Sequence, residues 1–199
     1  MELIGNALEH SESDCLVDFD IATDYKNKNG ESVYALNIVI LNFSKILLSD
    51  KLGNKIISGN FDEESQDRYK LVKNALDTHT SFFDYAYDEK DFFNISTFQN
   101  KISGRNKITP TGGTGLTKLI KSIEDKSEAH SCYVITGDRK IYFEPGYLEY
   151  KEDWIGFNEE NDYFNHRPFA GILERNQFFM PGTAYNLNFI MKVNNDEQK

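Results

Sequence analysis

Residues 15–43 read CLVDFDIATDYKNKNGESVYALNIVILNF, and this stretch decides the first part of the fold. Apolar and polar residues alternate in part over 15–25, which predicts a strand. The segment KNKNG at 26–30 has the composition of a turn. Residues 32–43 are rich in β-branched and other apolar residues, which predicts a central strand buried on both faces. We therefore expect an antiparallel pair of strands joined by a tight turn.

Helical patterns lie on both sides of this strand pair. Residues 2–10 carry apolar side chains at helical spacing, which predicts an amphipathic helix. The segment 44–107 is charged, aromatic and irregular, and it predicts one helix at 64–83 and a shorter one within 87–106. The segment 107–126 begins with a glycine-rich loop and continues with the apolar stripe of another helix.

The C-terminal part of the chain is predicted to be mainly β-structure. Residues 131–146 contain two β-rich runs around TGDRK, which predict a hairpin. Residues 147–167 are acidic and aromatic and are interpreted as a loop insertion. This insertion is either an exposed surface for a partner or a small satellite core. A turn at Pro181-Gly182 is expected before a last strand that starts near Tyr185.

The composition is that of one globular domain. The chain has 199 residues, of which 39% are hydrophobic and 14% aromatic, so a disordered or low-complexity chain is excluded. We expect a single domain over residues 1–199. The predicted elements form an α+β fold, a two-layer α/β sandwich with a mixed, mostly antiparallel sheet and helices on one face.

The charge balance restricts the classes of partner. The formal net charge is −10, with 22 Lys and Arg scattered among 32 Asp and Glu. Because no basic patch is segregated, the chain is expected to bind neither nucleic acid nor an anionic membrane. No apolar run approaches the about 20 residues that cross a bilayer. Two cysteines are too few for a disulfide scaffold, and the four histidines are far apart. We expect a cytoplasmic protein without a structural metal site.

The opening decapeptide MELIGNALEH carries a line of polar side chains. Glu2, Asn6 and His10 are four residues apart, so in a helix they share one face, opposite the apolar stripe. An Asn oxygen is a suitable ligand for Mg²⁺, and a carboxylate one turn away can hold a water for attack on a phosphate. The alternative is the solvated polar face of an ordinary surface helix.

The stretch TPTGGTGLTKL at 109–119 supplies a second candidate site. Gly112, Gly113 and Gly115 precede a predicted helix, whose N-terminal amides and macrodipole attract anions. Glycines allow a phosphate to approach the backbone closely. The Walker pattern is absent, however. The alternative is a flexible hinge followed by an N-cap at Thr114.

Together and in this order, these segments resemble the GHKL ATP-binding fold of gyrase-type subunits, histidine kinases and anti-sigma-factor kinases. The N-box helix of that family matches ELIGNALEHS, its glycine box matches GGTGLTKL, and its closing strand, often entered by Gly-Thr, matches Gly182-Thr183. The resemblance implies that Glu2 activates the water, that Asn6 binds Mg²⁺, and that His10 neighbours a phosphate. It also implies that the segment 44–107 forms a lid over the nucleotide.

One departure concerns the adenine pocket. The family has Asp-x-Gly-x-Gly after the second strand, and this chain has Asn42, Ser44 and Ile46 at those positions. A neutral acceptor contributes about 1 kcal/mol against ~1.5–3 for a charged one, so we expect weaker adenine binding rather than none. The added side chains at 44 and 46 also favour an alternative, a degenerate nucleotide fold that is kept as a scaffold.

The sequence thus predicts an ATP-binding, Mg²⁺-dependent module with slow hydrolysis that acts as a switch for an unidentified protein partner. The alternatives are a non-catalytic interaction protein on the same fold and an anti-sigma-type protein kinase. A homodimer is an open possibility. Glu2 is the expected catalytic carboxylate and Asn6 the expected metal ligand. The residues expected at the nucleotide are Asn6, His10, Asn42, Ser44, Lys107, Gly112, Gly113, Thr114, Gly115, Leu116 and Thr183.

Overall fold

Strands and helices alternate in groups along the chain. The computed structural model describes residues 14–61, 66–102 and 115–192. Two short 3₁₀ turns are also present, at Thr80–Phe82 and Ala170–Ile172. The regular elements are β1 (Cys15–Lys26), β2 (Ser32–Phe43), α1 (Asp50–Ser58), α2 (Gln66–His79), α3 (Glu89–Ser96), α4 (Gly115–Lys126), β3 (Tyr133–Tyr142) and β4 (Leu173–Lys192).

The described strands form one open sheet in the order β1–β2–β4–β3, and every neighbouring pair is antiparallel. The α+β class is confirmed, and the expected mixed sheet is entirely antiparallel over the described residues. The predicted β1–β2 pair is confirmed too. Its turn is closed by the Gly30 amide, which donates to the Asn27 carbonyl at 2.8 Å. Gly30 has a φ of +78°, a conformation that glycine adopts without steric cost.

One face of the sheet packs against the main core, and the other face is buried in part. On the covered face, Ile40, Val134, Tyr185 and Leu187 pack against the apolar side of α4 in the main core. On the other face, Val39 is half-buried, whereas Val33 and Ala35 are buried. The prediction that β2 is central is confirmed, but it is not fully buried on both faces. This arrangement is consistent with a two-layer sandwich.

The helices α1 to α3 enclose a second core that is rich in aromatic rings. Trp154 and Tyr163, from the acidic and aromatic segment 147–167, stack on each other with ring centroids 5.2 Å apart. They pack with Tyr69, Tyr87 and Phe92 from the helical region. The segment 147–167 therefore forms a satellite core, and its tryptophan is not an exposed surface for a partner.

Two predictions about the C-terminal strands are wrong. Residues 131–146 do not form a hairpin, because β3 is a single strand, and β4 begins at Leu173 rather than near Tyr185. The turn-forming residues of both segments meet in one ladder. Thr136 pairs with Thr183 and Gly137 with Met180, so Pro181-Gly182 bulges out within β4 and does not end it. Proline is tolerated there because a bulge leaves one residue unpaired.

The helix predictions are mostly confirmed. The expected helix at 64–83 corresponds to α2 with the following 3₁₀ turn, and the shorter one to α3. The sequence did not predict α1, whose Leu52 and Ile56 are buried one turn apart. The helix expected at 2–10 lies outside the described residues.

Candidate functional site

Three polar side chains meet on the covered face of the sheet near the end of β2. They come from β2, from its neighbour β4 and from β3, which follows β4 in the sheet. We call Asn42, Thr136, Gly182 and Thr183 the strand junction. The Oδ1 atom of Asn42 accepts a hydrogen bond from the Thr183 amide at 2.8 Å. Thr136 Oγ1 donates to the Gly182 carbonyl at 2.9 Å and accepts from the Leu48 amide at 3.0 Å. These contacts join three strands and the chain that follows β2.

Close backbone approach at Gly182 makes this geometry possible. Gly182 has a φ of +105°, and a Cβ atom there would lie 2.3 Å from the Asn42 carbonyl oxygen and 2.8 Å from the Ser44 amide. Both are backbone atoms, which cannot swing aside as a flexible side chain does. The bulge therefore requires glycine, and it brings Thr183 onto the side chain of Asn42.

The amide group of Asn42 has a defined orientation. Because the Thr183 N–H needs an acceptor, the oxygen of Asn42 faces it and the Nδ2 atom points away. Asn42 is 7% exposed as a residue, but its Nδ2 is not among the buried side-chain atoms of the described residues that lack a hydrogen-bond partner. The Asn42 amide group is therefore not an orphaned buried donor, and the observation that remains is its contact with Thr183.

The predicted site residues fall into two groups. Asn42 and Thr183 are in contact. Ser44 is beside them, since its amide donates to the Pro181 carbonyl at 3.2 Å. Gly115 is the first residue of α4, and the half-buried Leu116 packs on the same main core as Ile40 and Tyr185. The other predicted site residues lie outside the described residues: Glu2, Asn6, His10, Lys107, Gly112, Gly113 and Thr114.

The first turn of α4 is fixed to the residues that end the helical region. Thr117 Oγ1 donates to Asn100 Oδ1 at 3.2 Å, and Asn100 Nδ2 donates to Asp153 Oδ1 at 2.6 Å. Arg68 donates to the Asn100 carbonyl at 2.7 Å and stacks over the Trp154 ring. The positions on either side of residues 103–114 are therefore held together by a continuous set of polar contacts.

A buried ionic cluster was not predicted from the sequence. Arg139, 4% exposed on β3, contacts Asp88 at 2.6 Å and Asp138 at 2.5 Å. Its Nε lies 3.0 Å from Asp91 Oδ1, an ion pair without hydrogen-bond geometry at that nitrogen. Arg175 also donates to Asp88, at 3.0 Å. These contacts attach the start of α3 to the sheet.

The pKa values of the two carboxyl groups in this cluster move in opposite directions. Burial raises the pKa of Asp91 to about 6. Burial also disfavours the ionised form of Asp88. The hydrogen bonds from Arg175 and the Asp91 amide outweigh it, together with the charge of Arg139, and the pKa of Asp88 is lowered. The two residues also cap α3 reciprocally, which is a local signal for the helix start.

His79 is fully buried in the second core, where each of its ring nitrogens contacts another core residue. Its Nε2 lies 2.8 Å from the Tyr163 carbonyl oxygen, which can only accept, so Nε2 carries the proton. The Tyr87 hydroxyl, 2.6 Å from Nδ1, therefore donates to the unprotonated nitrogen. Burial lowers the pKa of His79, and the ring is neutral in this environment.

The described residues contain no group of three or more His, Cys, Asp or Glu side chains that is arranged to hold a metal ion. Among the helices of this part of the chain, none combines the length and apolar character that a bilayer-spanning helix requires. Comparison of the chain with protein-family models, curated proteins and solved structures found no match.

Proposed function

We propose that this chain is a GHKL-like ATP-binding module whose nucleotide state is read by a partner protein. The observation that carries the proposal is the contact between Asn42 and Thr183, which are 141 residues apart in sequence. The resemblance assigns both residues to one nucleotide site, and it does so through two separate motifs of the sequence. Neighbouring positions on β2 and β4 are consistent with a common site, although the hydrogen bond engages the Asn42 oxygen.

The order of the elements also supports the proposal. The resemblance implies an N-box helix, two strands, a long variable segment, a helix after a glycine-rich loop, a hairpin, and a last strand that is often entered by Gly-Thr. Two of these do not agree with the described residues, in which β3 is a single strand instead of a hairpin and Gly182-Thr183 lies inside β4. The described chain has β1 and β2, the helical region, α4 starting at Gly115, and β4 with Gly182-Thr183 next to β2. The start of α4 and the strand junction lie over one core, since Leu116 and Ile40 both belong to it.

Each residue of the proposed site has one role. The Nδ2 atom of Asn42 donates to an acceptor on the base, and glycine-box amides at 112–115 donate to phosphate oxygens. Asn6 would hold a magnesium ion, which would supply neutralisation of the phosphate charge. Glu2 orients the attacking water. Phosphoryl transfer depends on positioning, so a carboxylate at the start of a helix predicts slow turnover.

Calorimetric titration with Mg-ATP tests this proposal. We expect saturable binding by the wild type and at least a tenfold loss of affinity in Asn6→Ala. The matched control is Asn74→Ala, an exposed asparagine on α2, which should bind as the wild type does. No binding by the wild type, or the same affinity in both variants, would exclude the proposed site.

The rival is a non-catalytic interaction protein with the same fold. It is favoured by one observation: the Asn42 oxygen that would accept from adenine already accepts from the Thr183 amide. Labelling the γ-phosphate of ATP separates the possibilities. Free labelled phosphate would indicate hydrolysis, and label on a protein would indicate a kinase of the anti-sigma type. If the chain neither binds ATP nor releases or transfers the label, the interaction protein is the interpretation that remains.

A further inference from the structure

Among the described residues, the edge strand β1 has one unpaired side, and its two faces differ chemically. Within the described residues β1 pairs only with β2, so no described strand covers its other edge. Its ladder with β2 is regular from Cys15 to Ala22, before a bulge. An exposed edge of this length presents unpaired N–H and C=O groups that an extended segment can bind.

The side chains of β1 sort into an apolar and an acidic row. Phe19 and Ile21 lie on the face of Val17 and are 62% and 57% exposed. Asp18 and Asp20 lie on the opposite face, are exposed, and form no ion pair with any described residue. A strand added to this edge would place its own alternate residues beside these two rows.

A second copy of the chain fits this edge poorly. Suppose that two β1 strands pair in antiparallel fashion with their covered faces on the same side. A two-fold axis at residue 18, 19 or 20 then places an Asp of one copy opposite an Asp of the other. Like charges directly opposite each other destabilise a strand pair, and charged residues on an edge strand discourage self-association. The acidic row therefore favours an occupant of the opposite charge.

We propose that the free edge of β1 is a docking site for an extended basic segment of a partner protein. In that segment apolar residues would alternate with Lys or Arg. The apolar residues would cover Phe19 and Ile21, and the basic residues would pair with Asp18 and Asp20. The net charge of −10 would speed association with such a partner. The inference stands apart from nucleotide binding, since none of its residues belongs to the strand junction.

The probe for this proposal is a fluorescein-labelled peptide of alternating lysine and valine, about eight residues long and blocked at both ends. Fluorescence anisotropy at low salt should show saturable binding to the full chain. Asp18→Asn/Asp20→Asn should weaken it at least tenfold. Asp77→Asn/Asp125→Asn removes the same charge from exposed helical positions, and it should change the affinity less than twofold.

A second peptide separates strand addition from simple charge attraction. Methylation of alternate backbone nitrogens leaves the lysines intact but removes the backbone donors, so this peptide should not bind. Equal binding by both peptides, equal losses in the two double variants, or no saturation would overturn the proposal. So would a dimer in gel filtration that Asp18→Asn/Asp20→Asn strengthens. Exchange protection of the β1 amides that point away from β2, in the dilute, peptide-free chain, would overturn it as well, because the chain itself would then cover the edge.

Discussion

Gly182 provides the most direct structural test of the strand junction. Replacing Gly182 with alanine would place a Cβ atom 2.3 Å from the Asn42 carbonyl oxygen, at a backbone φ of +105°. The matched control is Gly30→Ala in the β1–β2 turn. Gly30 also has a positive φ, +78°, but a Cβ atom there would meet nothing within 4 Å. The pair therefore separates crowding from backbone strain.

The expected magnitudes follow from these two environments. A non-glycine residue at positive φ costs about 1–2 kcal/mol, and this is the full effect expected for Gly30→Ala. Gly182→Ala adds overlap with two backbone atoms, which separates β4 from β2 and breaks the hydrogen bond between Thr183 and Asn42. That bond is worth about 1 kcal/mol, and an unsatisfied buried partner costs ~1–3 more. We expect Gly182→Ala to lower the free energy of unfolding by about 3–6 kcal/mol in total.

Urea unfolding followed by circular dichroism measures both variants under the same conditions. The account predicts that Gly182→Ala is less stable than Gly30→Ala by at least ~2 kcal/mol, the crowding contribution derived above. Free energies of unfolding within ~0.5 kcal/mol of each other would refute the reasoning, because they would mean that the close approach at the bulge has no energetic consequence.

Further predictions concern the ionic cluster, the buried histidine and the base pocket. Arg139→Met should lower the free energy of unfolding by about 3–5 kcal/mol, because it leaves the buried Asp91 without its cation. In contrast, Lys70→Met breaks an exposed ion pair and should cost under ~1 kcal/mol in the same urea assay. The lowered pKa of His79 means that the unfolded chain binds more protons below its ordinary value of about 6.5. The stability difference between wild type and His79→Gln should therefore shrink as urea midpoints are measured from pH 7.5 down to 5.5, and an unchanged difference would contradict a neutral, buried ring. Asn42→Asp removes the Nδ2 donor and should weaken Mg-ATP binding up to about tenfold in calorimetry, whereas tighter binding would mean that an acceptor at position 42 is the contact that matters.

Features that depend on local chemistry were predictable from the sequence. The turn between β1 and β2 follows from Asn27, whose Oδ1 accepts from the amides of Asn29 and Glu31, and from Gly30 at positive φ. The stripe of α4 follows from helical spacing, and Ile120 and Ile123 are fully buried. Both signals are contained within a few consecutive residues, so no distant partner is needed to interpret them.

Features that depend on distant partners were not predictable. Gly137 and Pro181-Gly182 have the composition of turns. They do not end a strand, because β3 and β4 pair on both sides of them in one ladder that bulges at this point. Arg139 and Asp88 are 51 residues apart, and nothing local indicates that they meet. The family resemblance assigned Asn42 and Thr183 to one site, but it did not predict that they contact each other. This contact also changes the expected chemistry of Asn42 by engaging its oxygen.

The central claim is that the strand junction contacts a nucleotide. The measurement that tests it most directly is the side-chain NH₂ resonance of Asn42 in an NMR titration with magnesium and a non-hydrolysable ATP analogue. The account predicts a saturable shift of this resonance together with the Thr183 amide, at the same midpoint as calorimetry. Unchanged Asn42 and Thr183 resonances at saturating analogue would contradict it, whether the analogue fails to bind or binds elsewhere on the chain.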